Sequence, residues 1–299
     1  MKKYLSLFAI ALLLGACTKD LDIDFEQQDP KVVVMSCVEP DSVLSLRLSF
    51  SRFFLSAQPF RTIDNAVVTL LVNGSTEATA TPSANGRYVF DYRPRVGDHL
   101  ALQVQVPDHG TVTSATTVPS PASVNNMQAT LAANEDNDRT YSVRFTLNDP
   151  AGEDNFYVVR VIEREYYEWD GVRHREDSYR YFTCNDYMLT GAGDVGSVIG
   201  GDNPGELYDN VLYFTDDYFN GQSHVVEIAP ELHYRNTEAL LEITSYSRDR
   251  YLYELTTSMD GDSFEALFGE PVQVHTNIDG GIGIFGARNR ILVPIPVSQ

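Results

Sequence analysis

Lysine is scarce in this chain. Four occur, at positions 2, 3, 19 and 31, and every later basic residue is arginine. Arginine forms bidentate pairs that lysine cannot, although genome base composition would produce the same bias. Basic residues are outnumbered overall, 22 against 42 acidic, for a formal charge of −20. A surface this acidic repels phosphate, which excludes nucleic acid as a partner. There are three cysteines and one tryptophan. No CxxC or Cys/His spacing suggests zinc. The six histidines, at 99, 109, 174, 224, 233 and 275, form no HExxH and no i,i+4 pair, and neither GxSxG nor a P-loop is present. No catalytic residue, metal site or cofactor is therefore expected. Long apolar runs are missing beyond the N-terminus, which excludes a multipass helical membrane protein. What remains is 43% hydrophobic and 11% aromatic over 299 residues, enough for a packed core and for about two domains at roughly 150 residues each.

Lys2 and Lys3 precede an apolar run over residues 4–14. This is too short for the roughly 20 residues that span a bilayer, so it reads as a signal-peptide core. The following Leu14-Gly15-Ala16-Cys17 resembles the bacterial lipobox. Residues 1–16 would then be removed and Cys17 lipidated. Several acyl chains, at about 0.8 kcal/mol per buried CH₂, would make the anchor effectively permanent. Residues 17–30 form an acidic tether, with acids at 20, 22, 24 and 26. Acidic stretches at this place resemble the signals that send Bacteroidetes lipoproteins to the cell surface. The expected location is the outer membrane, lipid-anchored and facing outward, with a periplasmic orientation as the alternative.

Charge divides the rest. Residues 31–118 balance seven acids with seven bases, whereas residues 119–299 carry thirty acids and twelve bases. A boundary is expected near Pro119-Ser120-Pro121. In the first part, residues 31–38, 43–50, 65–72, 87–92, 100–106 and 111–118 read as short strands, with Asn73-Gly74 as a hairpin turn and Asn85-Gly86 opening a strand. This pattern predicts an immunoglobulin- or prealbumin-like β-sandwich. The second part predicts a larger antiparallel β domain with one short helix, so the fold class is all-β. A long hairpin is expected from residues 156–169 and 172–182 about Asp170-Gly171. Its tip region carries Tyr166, Tyr167, Trp169, Tyr179 and Tyr181 among arginines, the residue types enriched at binding hot spots. Packing on the sheet below would explain the same aromatics equally well.

Residues 216–221 match a calcium loop only partly, because Tyr218 occupies a ligand position, and a hairpin loop between strands 207–215 and 222–229 is expected instead. Residues 191–196 spell GxGxxG but continue into Gly200-Gly201 and Pro204, so no dinucleotide-binding helix is expected. The helix is predicted at residues 248–258 after Ser247 as N-cap, with Tyr251, Leu252, Leu255 and Met259 inward. Cys37 and Cys184 are expected as buried free thiols, one in each domain.

Six stretches together resemble one family: Pro30-Lys31-Val32-Val33-Val34, Asn65-Ala66-Val67-Val68-Thr69-Leu70, residues 86–88, residues 112–119, Asp217-Tyr218-Phe219-Asn220-Gly221-Gln222, and above all Glu270-Pro271-Val272 with the glycine-rich run Asn277 to Gly286. The chain is similar to Bacteroidetes lipoproteins of unknown function often encoded beside TonB-dependent receptors. Met35-Ser36-Cys37-Val38 departs from the Glu-Gly-Trp-like step typical of that family. The glycine-rich run is expected to be a structural plug or closing strand. The resemblance implies a non-enzymatic accessory subunit of a TonB-dependent transporter or related β-barrel assembly. A surface ligand- or glycan-binding lipoprotein is the alternative.

Overall fold

A computed structural model describes residues 29–53, 56, 58–131, 139–190, 207–232, 237–259 and 273–297. Cys17, the acidic tether, His233 and the GxGxxG stretch lie outside them. The strands in chain order are β1 (Val32–Val38), β2 (Ser45–Phe50), β3 (Val67–Val72), β4 (Ser75–Thr79), β5 (Thr81–Pro82), β6 (Arg87–Val89), β7 (His99–Val106), β8 (Gly110–Thr117) and β9 (Ser123–Leu131). They continue with β10 (Arg139–Asn148), β11 (Phe156–Trp169), β12 (Val172–Arg180), β13 (Phe182–Cys184), β14 (Leu207–Asp209), β15 (Leu212–Thr215), β16 (Ser223–Leu232), β17 (Glu238–Tyr246) and β18 (Ile282–Pro294). One three-turn helix spans Arg248–Met259, and a four-residue helical turn spans Tyr187–Thr190. The fold is all-β.

One nine-stranded sheet runs the length of the molecule in the order β12-β11-β17-β18-β1-β2-β6-β5, with β15 paired to the lower half of β11. Two smaller sheets cover the same face of it. The sheet β4-β3-β7-β8 closes a sandwich with the β1–β2 end, and β14-β13-β16-β10-β9 closes a second with the β11–β17 end. Alternation explains each layer. In β7, Leu100, Leu102, Val104 and Val106 point inward while the residues between them stay wetter.

The last strand joins the two halves. Its first residues pair in parallel with β1, from Val33 with Ile282 to Val38 with Ala287. The rest pairs antiparallel with β17, from Tyr246 with Arg288 to Leu240 with Pro294. Ile278, Phe285 and Ala287 consequently fill the core built by residues 32–118, while Ile291 and Val293 pack against the second core. Full burial of Phe285 contributes about 2–3 kcal/mol.

The glycine-rich run is the latch that permits this. At Gly283 φ is +108°, and a Cβ would sit 2.1 Å from the Val34 carbonyl oxygen. Just upstream, Asn277 donates to the Phe285 and Ala115 carbonyls and accepts from the Phe285 N–H, while Thr113 and Asp279 exchange both backbone bonds.

Among the described residues, the opposite face of the long sheet carries only the Arg248–Met259 helix. Tyr251 and Leu255 bury against Val158 and Tyr246, with Leu252 partly buried beside them. The side chain of Met259 lies outside the described residues. Ser247 does not cap the helix through its side chain. Its hydroxyl accepts from the Ala287 N–H, and its carbonyl accepts from Tyr251.

Candidate functional site

The β11–β12 hairpin turns at Asp170 (φ 53°) and Gly171 (φ 73°), both left-handed as a type I′ turn requires. Register runs without slip from Val161 with Arg180 to Trp169 with Val172. Only its base is covered: Val161 and Ile162 are buried, whereas the side chains from Tyr166 onward are solvated. Exposures of 37% for Tyr166, 42% for Tyr167, 71% for Trp169, 51% for Tyr179 and 47% for Tyr181 reject the reading that these rings pack into the sheet beneath.

The structure separates the five aromatics into three groups. Tyr166 and Tyr179 share the uncovered face of the long sheet, since direct cross-strand partners share a face and side alternates along β11. There Arg173 lies 4.3 Å over the Tyr166 ring and Arg160 5.3 Å over that of Tyr179. Tyr167 and Trp169 occupy the other face, Tyr167 stacked on His174 at 5.5 Å. Tyr181 belongs to neither, because the strand expected to continue to residue 182 breaks there. Phe182–Cys184 crosses to the second sheet, and Tyr181 stacks on Tyr208 at 5.4 Å.

Between the two tyrosines the uncovered face is an ionic ladder. Arg164 donates in bidentate fashion to Asp177, at 2.8 and 3.0 Å, which holds the Asp177 carboxyl below its ordinary range. Glu242, with its side chain 4% exposed, sits between Arg160 and Arg290. Ile162 and Leu240 are buried on this face, beneath the stems of these longer side chains. Arginines at alternate strand positions, 173/175 and 288/290, were the signal for this ladder in the sequence; each i,i+2 pair faces one way on a strand.

The Asp216 loop corrects another expectation. Residues 207–215 form two strands in different sheets, and β15 and β16 do not pair with each other, so residues 216–222 cross between layers rather than close a hairpin. Asp216 is buried and accepts from the Asn155 backbone and side chain, and Asp149 accepts from the Tyr157 hydroxyl and the Gly221 N–H. These carboxylates anchor the crossing. Among the described residues no group of three or more His, Cys, Asp or Glu is placed to hold a metal ion.

Two histidines pair with acids, His224 with Asp186 at 2.6 Å and His275 with Asp249 at 2.8 Å. The first stacks on Phe219, and the second is tied through Asn277 to the latch, so both serve the packing. Cys37 and Cys184 are free; Cys184 is buried but Cys37 is exposed, against the expectation of two buried thiols. Among the described residues no helix is long and apolar enough to cross a membrane.

Nothing among curated proteins matches the chain. A family model does match, over residues 18–290 and so across both sandwiches and the joining strand. The chain belongs to the family described as Domain of unknown function (DUF4249).

Proposed function

We propose that the protein is a non-enzymatic outer-membrane lipoprotein, anchored through Cys17, that docks as an accessory subunit on a TonB-dependent transporter or related β-barrel assembly. The observation that carries this reading is the position of the hairpin. Val33 is level with Ile282, Ile162 is level with Pro294 through Leu240, and Trp169 lies seven residues further on. At about 3.3 Å per residue the exposed aromatic tip stands roughly 60 Å along the strand direction from Val33, close to where the tether ends. An anchor at one end and solvated Tyr167 and Trp169 at the other suit a spacer that presents a contact away from its attachment. The lipobox-like residues and the resemblance to lipoproteins encoded beside TonB-dependent receptors support the same reading.

The test is affinity purification of C-terminally tagged protein from native outer membranes in mild detergent. Near-stoichiometric co-elution of a β-barrel, lost in a Tyr167→Ala/Trp169→Ala double variant, is the expected result. A lipoprotein that elutes alone even after crosslinking overturns it. The alternative, a surface ligand- or glycan-binding role, is favoured by one observation: Tyr167, its stacked His174 and the exposed Trp169 share one face of the hairpin, where sugar rings could stack. Glycan-array binding abolished by the same double variant would support it.

A further inference from the structure

The uncovered face of the long sheet is electrically unlike the rest of the molecule. Six of the twelve basic residues in 119–299 project from it, namely Arg160, Arg164, Arg173, Arg175, Arg288 and Arg290. Of the acids in the same stretch, among the described residues only Glu168, Asp177, Glu238 and Glu242 do so from the strands, with Asp249 and Glu254 on the helix beside them. A locally basic strip thus crosses a strongly acidic unit. Most of its guanidiniums are held by those acids, but toward the hairpin tip the balance opens. Arg173 touches the Tyr166 ring and, although Glu168 is its cross-strand neighbour, forms no ion pair within 4 Å among the described residues. Arg175, 59% exposed at the side chain, reaches only Asp177 Oδ1 among the described residues, at 3.5 Å, an oxygen already bonded by Arg164 Nε.

Both sit on β12, the end strand of the sheet. In a two-residue hairpin the pair flanking the turn exchanges its backbone bonds, so Val172, His174, Glu176 and Ser178 bond inward to β11. Arg173, Arg175, Asp177 and Tyr179 therefore turn their N–H and C=O groups to the open edge. A further strand laid there would set alternate side chains directly opposite Arg173 and Arg175, on the basic face.

We infer that the β12 edge with Arg173 and Arg175 receives an extended acidic segment of a partner protein, with two carboxylates spaced i,i+2. Charge complementarity selects acids for these two positions, and Asp177 rejects a third acid at the next. The strand period and the main-chain groups left unpaired among the described residues fit a polypeptide. The inference rests on the hairpin being a contact element, as proposed above, but not on lipidation or on the partner being a barrel.

The test titrates the full chain in mild detergent against a fluorescein-labelled peptide carrying a central glutamate–threonine–glutamate among threonine and valine. Trp169, the only tryptophan, supplies a second readout at the hairpin tip. Saturable binding that weakens with salt, at least tenfold poorer in Arg173→Glu/Arg175→Glu and recovered there by a lysine-for-glutamate peptide, is expected. Three results overturn it: equal binding of a glutamine-for-glutamate peptide, no loss in the double variant, or binding of phosphatidylglycerol vesicles in place of the peptide, which would assign the arginines to a lipid surface. In the membrane pull-down, a barrel retained by Arg173→Glu/Arg175→Glu but lost with Tyr167→Ala/Trp169→Ala removes the acidic segment and leaves docking standing. A barrel retained by both double variants removes the hairpin from either account.

Discussion

Gly283 has no tolerable substitute. Its φ of +108° and the Val34 carbonyl oxygen 2.1 Å from a would-be Cβ mean that Gly283→Ala must separate β18 from β1. A loss of roughly 3 kcal/mol or more is expected from urea unfolding, against about 1 kcal/mol for Gly171→Ala, where φ is positive but the space is open. Asp149 governs a pH response. Burial pushes its carboxyl up and neighbouring Asp216 adds to this, against hydrogen bonds from Gly221 and Tyr157 that draw it down. A raised value in the fold means that protonation favours folding, fully so below the ordinary 3.8 and decreasingly as pH rises through the folded value. Wild type should therefore gain on Asp149→Asn in urea midpoint as pH falls from neutral toward about 4; parallel pH profiles would exclude this role. Asp98 opposes the trend. Although burial alone would raise it, hydrogen bonds from Tyr92, Arg95 and Asn73 bring it below its ordinary range, so its stabilising contribution is lost in acid. At Cys184, burial pushes the thiol up to about 11, so in a Cys37→Ser background it should react with a thiol reagent at pH 8 only after unfolding.

Elements with a dry face and a wet face were legible in the sequence. Residues 43–50 alternate apolar and polar, and β2 forms there; Asn73-Gly74 and Asp170-Gly171 both turn with two left-handed residues. The helix was legible from Tyr251, Leu252 and Leu255 at helical spacing. Strand β9 was not, because Ser123–Leu131 is mostly exposed and polar at an edge and its pairing to β10 supplies the order that its own pattern lacks. Breaks at residue 181 and between 209 and 212 also escaped notice, since a strand that changes sheet keeps its apolar content while changing its partners. For the candidate site, the aromatics were legible and their division between two faces was not. That division follows from register, which fixes parity. The tip of the hairpin is stabilised by little beyond its own ladder. Replacing residues 166–175 with Asn-Gly would leave Glu165 and Glu176, already partners, flanking a two-residue turn. Urea unfolding of that variant should move by less than about 1 kcal/mol.

At the scale of the whole molecule, the charge boundary near residue 119 and the packing boundary differ. The core of residues 32–118 is completed by Ile278, Phe285 and Ala287, from the far end of the acidic stretch. Sequence periodicity carries no trace of this, because the parallel pairing of Val33 with Ile282 joins positions far apart in the chain and leaves both strands looking like ordinary apolar runs. A fragment of residues 29–118 should accordingly fail to give dispersed amide resonances on its own, and a peptide of residues 277–290 added in trans should restore them. Cooperative folding of the fragment alone would show that the latch is dispensable. The same strand sets a schedule for biosynthesis. The first sandwich leaves the ribosome early but cannot close until residue 287 has been made, so β1 waits with an open edge through most of translation. If the chain is exported, as proposed above, that delay is an advantage. A precursor unable to finish its first domain would stay threadable through a secretion pore, and any dependence on holding chaperones would end only when its last strand arrives.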